Sequence, residues 1–268
     1  FSPGSAIIIH VNGLDNATAF ANTNPAPLSN IGASLGKNQP ILLIDARTNK
    51  RVPIWSELDA NVHGAQNINL LIHPAAALTN GDTYIVVLRN LRNAHGKLIK
   101  APSWFEKLRD DKRLPSAAGL PKAERSQRLR FWLIFNHLAH LKIARNKSLY
   151  EAWDFTVAST KNLTGRLLAI RNNAFAQLGD TNLADGIPLG HPPAFTVTDS
   201  KPDPSNSNIT IVDGSYQVPC YLVTCGPAAT TGFHYSSSKP DATPTQIPGN
   251  VATALFECVI PSSASPSN

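Results

Sequence analysis

The chain has 268 residues, of which 42% are hydrophobic and 16% charged, and it carries a formal charge of +6. This composition excludes a disordered chain, and no run approaches the roughly 18 apolar residues of a membrane-spanning helix. The length suits two compact units, and the lack of Met marks Phe1 as an expected processed or trimmed end, with any signal peptide upstream.

Strand-like runs open the chain: Ala6-Ile-Ile-Ile-His-Val11, then Ile41-Leu-Leu-Ile-Asp45. Between them, residues 16–30 are rich in Ala, Asn and Pro and read as a surface loop. Arg47-Thr-Asn-Lys50 forms a turn before Val52-Pro-Ile-Trp55, and Ile68-Asn-Leu-Leu-Ile72 follows. Short strands separated by Asn, Gly and Pro turns predict a sandwich. The most informative stretch begins at Leu78. Asn80-Gly81-Asp82 supplies a turn, Tyr84 to Leu88 a buried strand, Asn93-Ala-His-Gly96 a second turn, and Leu98-Ile99 a resumed strand. The pattern Leu-x-x-Gly-x-x-Tyr before a strand and Asn-x-x-Gly after it resembles the closing hairpin of a bacterial immunoglobulin-like module. Such modules are scaffolds, and fold alone does not give function.

Residues 92–147 then hold fourteen Lys and Arg against four acidic residues, leaving −4 for the remainder. A cationic stretch of this size can attract an acidic polymer, a phospholipid surface or an acidic partner subunit, although the solvated faces of helices are the plainer reading. No nucleic-acid motif accompanies it. The pattern here turns helical: Trp104, Phe105 and Leu108 share one face of a short helix. Pro121 opens a longer one with Leu129, Trp132, Leu133, Phe135 and Leu138 at spacings of three and four, widened by Phe131 and Ile134. Residues 149–158 alternate as a strand, read as the last of the first sandwich, so that the helices form an insertion at about 103–148. A further helix follows to about Leu178, with Leu163, Leu167, Ile170, Ala174 and Leu178 as its apolar stripe and Gly179 as its stop. Pro and Asp turns mark a boundary near 183–193. The final third returns to strands at 194–198, 208–212, 215–223 and 252–260.

The expected organisation is therefore mainly β with a helical insertion (α+β). An immunoglobulin-like sandwich occupies 1–158, a helix and linker 159–192, a second small β region 193–260, and a linker tail 261–268.

Several phrases together carry a broader resemblance. Phe1-Ser-Pro-Gly-Ser5, Val52-Pro-Ile-Trp-Ser-Glu-Leu-Asp59, Ala152-Trp-Asp-Phe-Thr-Val-Ala158, Phe175-Ala-Gln-Leu-Gly-Asp180, Val218-Pro-Cys-Tyr-Leu222 and Phe256-Glu-Cys-Val-Ile-Pro261 occur in this order. The ordered set resembles the N-terminal half of large secreted bacterial proteins whose C-terminal half is an α/β-hydrolase, esterase or lipase-like. The resemblance implies a secreted, extracellular or cell-surface accessory region. Its partner would be the C-terminal hydrolase domain of the same precursor, whose catalytic Ser, acid and His have no matching positions in this chain. The alternative is a structural protein whose partners are identical subunits, packed into a layer or filament through an exposed strand edge.

Chemistry within the chain has one formal signal. Gly32-Ala-Ser-Leu-Gly36 matches the G-x-S-x-G elbow, which needs a buried strand before Ser34 and a helix after it. A polar loop precedes Ser34 and Pro40 follows it, so a loop or single helical turn is expected rather than a nucleophile. His137 and His140 stand at i and i+3 on one helix face, a spacing able to share a metal, but with no Glu or Cys in the same turn. Asp45, Glu57 and Asp59 could meet at a sandwich end, yet no calcium-loop spacing is present. No cofactor is implied. Of the three Cys, Cys220 and Cys258 lie in strand-like runs and Cys225 in a turn. A Cys220–Cys258 bridge is the favoured pairing and would constrain the unfolded chain by about 4 kcal/mol in the entropy model; Cys220–Cys225 is the open alternative. Four sequons, at Asn16, Asn146, Asn162 and Asn208, carry little weight in a chain so rich in Asn, Ser and Thr.

Overall fold

The computed structural model describes residues 1–61, 64, 68–112, 119–187, 189–226 and 231–264. Part of the cationic stretch (113–118) and the end of the expected tail (265–268) lie outside the described residues. The chain divides into two units, Phe1–Ser159 and Thr160–Asn268, each carrying antiparallel sheet, and its class is β-rich α+β.

Two sheets form the first unit. One has the order β1-β5-β4, made of β1 (Ile7–Ile9), β4 (Ile54–Leu58) and β5 (Leu70–Pro74). The other has the order β3-β2-β6-β7, made of β2 (Ile41–Asp45), β3 (Lys50–Val52), β6 (Thr83–Arg89) and β7 (Leu149–Thr156). Strand alternation sends Ile41, Leu43, Val86 and Leu88 into a core shared with Ile54, Leu70 and Ile72 of the first sheet. The intervening residues Leu42, Ile44, Ile85 and Val87 enter a second core under two helices, α2 (Ser103–Asp110) and α3 (Lys122–His140). The continuous apolar runs of β2 and β6 are thus explained by cover on both faces. The result is three layers, with the four-stranded sheet in the middle.

Several elements depart from expectation, each for an identifiable reason. Residues 16–30, expected as loop, contain a helix, α1 (Ala17–Thr23), and the start of a 3-10 segment (Leu28–Leu35). The Asn16 side chain accepts from Ala19 N at 2.9 Å, and Asn24 ends the helix in the left-handed region at φ 55°. The expected strand over 52–55 is split at Pro53. Proline cannot donate to a ladder, so β3 ends beside β2 and β4 starts in the other sheet. Leu98 makes only a bridge to Arg92, closing a small loop in which Asn93 Oδ1 accepts from His95 N and Lys97 N.

In α3 the buried face is Phe131, Ile134, Phe135 and Leu138, while Leu129 and Leu133 are about half exposed. The expected stripe is therefore rotated. The aromatic rings decide it: Phe131 and Phe135 stand 6.0 and 6.2 Å from the ring of Phe105, the fully buried aromatic side chain of α2. Burying one such ring is worth about 2–3 kcal/mol, more than a leucine already half covered by its own helix could return.

The second unit begins with α4 (Thr160–Gln177) and continues with a three-stranded sheet of order β10-β9-β8, from β8 (Phe195–Asp203), β9 (Asn206–Pro219) and β10 (Val251–Pro261). The runs expected at 208–212 and 215–223 are one strand through Gly214, which ends at Pro219. Phe256 lies directly opposite Gly214 in the register, and its ring covers the position a β-carbon would take. The expected stripe of α4 is not buried: no residue of this helix is. Its polar face is tied instead, with Tyr221 Oη donating to Asn173 Oδ1 at 2.7 Å and Lys161 paired with Asp241.

Candidate functional site

Ser34 is placed where its hydroxyl has a structural task. It is 2% exposed within the 3-10 segment, and its Oγ accepts from the backbone N–H of Ile54 at 3.0 Å. That bond satisfies the first amide of β4 where Pro53 has broken the ladder, and a buried unsatisfied amide would cost about 1–3 kcal/mol. An imidazole braced by a carboxylate does exist nearby in the sequence of strands: His73 Nε2 is 3.2 Å from Glu57 Oε1, and its ring stacks on Trp55 at 3.9 Å. Among the described residues it makes no hydrogen bond to Ser34. The G-x-S-x-G match is thus a folding feature here.

The expected ligand groups are also dispersed. His137 Nδ1 lies 2.6 Å from Asn49 Oδ1, while His140 is exposed one turn later. Asp45 accepts from the backbone N–H groups of Arg47 and Thr48. Partial burial pushes its carboxyl up, but the hydrogen bonds from Thr48 and Arg47 hold it below the usual carboxylate range. Asp59 accepts from Asn61 N at 2.9 Å, and Glu57 belongs to His73. Among the described residues no three metal-ligating side chains come together.

The favoured disulfide is overturned. Cys220 is bonded to Cys225, with Cα atoms 6.3 Å apart, and Cys258 is free and exposed. The reason is register. Cys258 lies opposite Val212 in the β9–β10 ladder, whereas Cys220 follows the strand's other end, beyond the Val251↔Pro219 pair. Eight residues of extended chain separate Cys220 from Val212, about 26 Å at the strand rise, which no disulfide spans.

Much of the cationic stretch is engaged within its own unit. Arg109 is 2% exposed, donates to both carboxylate oxygens of Asp110 at 2.8 and 3.0 Å, and reaches the Leu149 carbonyl at 3.0 Å. Arg145 donates to the carbonyls of Leu108, Arg109 and Asp111, capping the C-terminal end of α2, and lies over the Phe135 ring. Arg130 joins α3 to β7 through the carboxylate and carbonyl of Asp154. The four arginines 109, 128, 130 and 145 therefore act as internal ties, and the other described cations of the stretch, Arg92, Arg125 and the lysines at 97, 100, 107, 112, 122, 142 and 147, are exposed. No helix among the described residues is long and apolar enough to cross a membrane.

One site was not singled out from the sequence. Between the outer strands β1 and β7 lies a cleft of about 450 Å³, walled by Phe1, Ile7, Ile9, Trp153 and Phe155, with Glu151 as its one charged side chain. A β-bulge lies beside it. Leu88 pairs with Glu151 and Arg89 with Leu149, so Tyr150 is the extra residue; it turns its ring into the sandwich core. By strand alternation Glu151 falls on the same face as Trp153 and Phe155. Among the described residues its carboxyl makes no hydrogen bond or ion pair. Burial pushes it up to about 7, and burial in the sandwich core, with the Glu151 charge beside it, pushes the adjacent Tyr150 up to about 12. The parity of 151, 153, 155 and 157 is the sequence signal: an acid placed in the apolar series of a strand. Compared with protein-family models, curated proteins and solved structures, the chain matches none.

Proposed function

We propose that this chain is a non-catalytic accessory region of a secreted bacterial serine hydrolase, with an immunoglobulin-like module as its first unit. The observation that carries this reading is the commitment of Ser34, the serine of the G-x-S-x-G match, to the Ile54 amide at a buried position. Support for the module comes from two antiparallel sheets sharing one core, with a turn, buried strand and second turn at 80–96. The Cys220–Cys225 bond agrees with an oxidising compartment. Ester hydrolysis by this chain and by its full-length gene product, measured on a short-chain p-nitrophenyl ester, tests the proposal. The chain should show no turnover above background, and the full-length product should turn over and keep its rate after Ser34→Ala. Turnover by the chain that disappears on Ser34→Ala would overturn it.

A second reading, assembly of identical subunits, is favoured by the sheet of the second unit. Phe195, Val197, Leu255 and Val259 are 64%, 48%, 83% and 60% exposed on strands whose outer edges have no partner strand among the described residues. Sedimentation of the chain separates the readings: stable higher oligomers in dilute solution favour assembly.

A further inference from the structure

We propose that the cleft between β1 and β7 binds a small organic ammonium cation with an apolar body, the ammonium on the Glu151 carboxylate and the body against Trp153, Phe155 and Phe1. The proposal concerns a site that the accessory reading does not use, and stands or falls separately from it.

Three observations select this chemistry. The first is size and lining: about 450 Å³ bounded by aliphatic and aromatic side chains admits a ligand of roughly ten heavy atoms. The second is the lone acid. An ionised carboxylate only accepts hydrogen bonds, and Glu151 has no donor from the protein among the described residues. A ligand carrying N–H⁺ donors supplies what the fold withholds. A neutral apolar ligand would strip water from the carboxyl and give nothing back, and an anion would be repelled. The third is the aromatic wall. The Phe1 and Phe155 ring centroids are 5.0 Å apart and Trp153 lines the same cleft, so three aromatic side chains share it with the acid. Ring quadrupoles attract weakly hydrated organic cations. Hard metal ions are disfavoured, because they take six or more oxygen ligands and the cleft offers one carboxylate.

Protonation gives the reading a second signature. With the carboxyl pushed up by burial, a cation entering below neutral pH must displace a proton, so binding strengthens as pH rises. Tyr150 is the neighbouring titratable side chain and remains neutral through this range.

The test is calorimetric titration of the full chain with phenethylammonium and with its neutral counterpart, phenethyl alcohol. The ammonium should bind at pH 8 at least about tenfold more tightly than the alcohol, and lose about tenfold in affinity between pH 8 and pH 6, with proton release at the lower pH. Glu151→Gln should remove the preference for the ammonium, with the fold checked by circular dichroism. Trp153→Leu, which keeps the acid, should weaken binding several-fold. Equal affinity for the two probes, an unchanged preference in folded Glu151→Gln, or no detectable ammonium binding at millimolar concentration would each overturn the proposal.

Discussion

Replacing Glu151 by Gln isolates the energetic effect of one carboxyl held in an apolar cleft. The folded-state value is about 7 against an ordinary 4.5, and burial is the cause. Each unit of difference corresponds to about 1.4 kcal/mol, so the whole shift would give about 3.5 kcal/mol; solvent at the open mouth of the cleft screens this to about 1–3 kcal/mol. The sign follows from proton uptake. The folded chain holds the proton more tightly than the unfolded chain, so this group does not oppose folding below about pH 4.5. Its penalty grows as pH rises through the window and is complete above about 7. Glutamine has nearly the same shape and no charge. The variant should therefore match the parent near pH 4.5 and exceed it by about 1–3 kcal/mol at pH 8. Tyr150 does not titrate in this window and adds no slope. Urea unfolding followed by tryptophan fluorescence is well suited, because all four Trp lie in the first unit. Equal stability of parent and variant at pH 8, or a variant less stable there, would refute the assignment of Glu151 to a desolvated site.

Three further predictions concern the second unit. A β-carbon at Gly214 would stand 2.2 Å from the Phe256 ring and 2.6 Å from the Thr196 carbonyl, so Gly214→Ala should lower the thermal midpoint of this unit by several degrees. Adding Phe256→Ala should not restore it, since the clash with backbone remains; calorimetry of the single and double variants distinguishes these outcomes. Alkylation without reductant, read by peptide mass mapping, should label Cys258 alone, and Cys220 and Cys225 only after reduction. Because the closed loop is short, Cys225→Ser should cost only about 2 kcal/mol in the entropy model, against the roughly 4 kcal/mol of the long-range bridge it replaces.

Local information was enough to locate most elements and not enough to orient them. The runs Ile41 to Ile44 and Tyr84 to Leu88 are strands by β-propensity and by their unbroken apolar character, which also implies cover on both faces. The helices α2, α3 and α4 follow from spacing, and Gly179 and Pro121 mark ends that the structure keeps within a residue or two. What residues close in sequence cannot state is which of two plausible faces meets a partner distant in the chain. In α3 that choice belonged to Phe105, and for Cys220 it belonged to the β9–β10 register. Ser34 is the same case. Its motif is local, but its role was set by an amide twenty residues away that Pro53 had left without a ladder partner. The Glu151 cleft lies furthest from local reach, since it needs β1 and β7, far apart in the chain, to line one space. Composition, periodicity and turn chemistry determined the elements because those act within a few residues. Tertiary structure alone decided which side chains became core, bond or site, because burial and pairing are properties of contacts that close long loops.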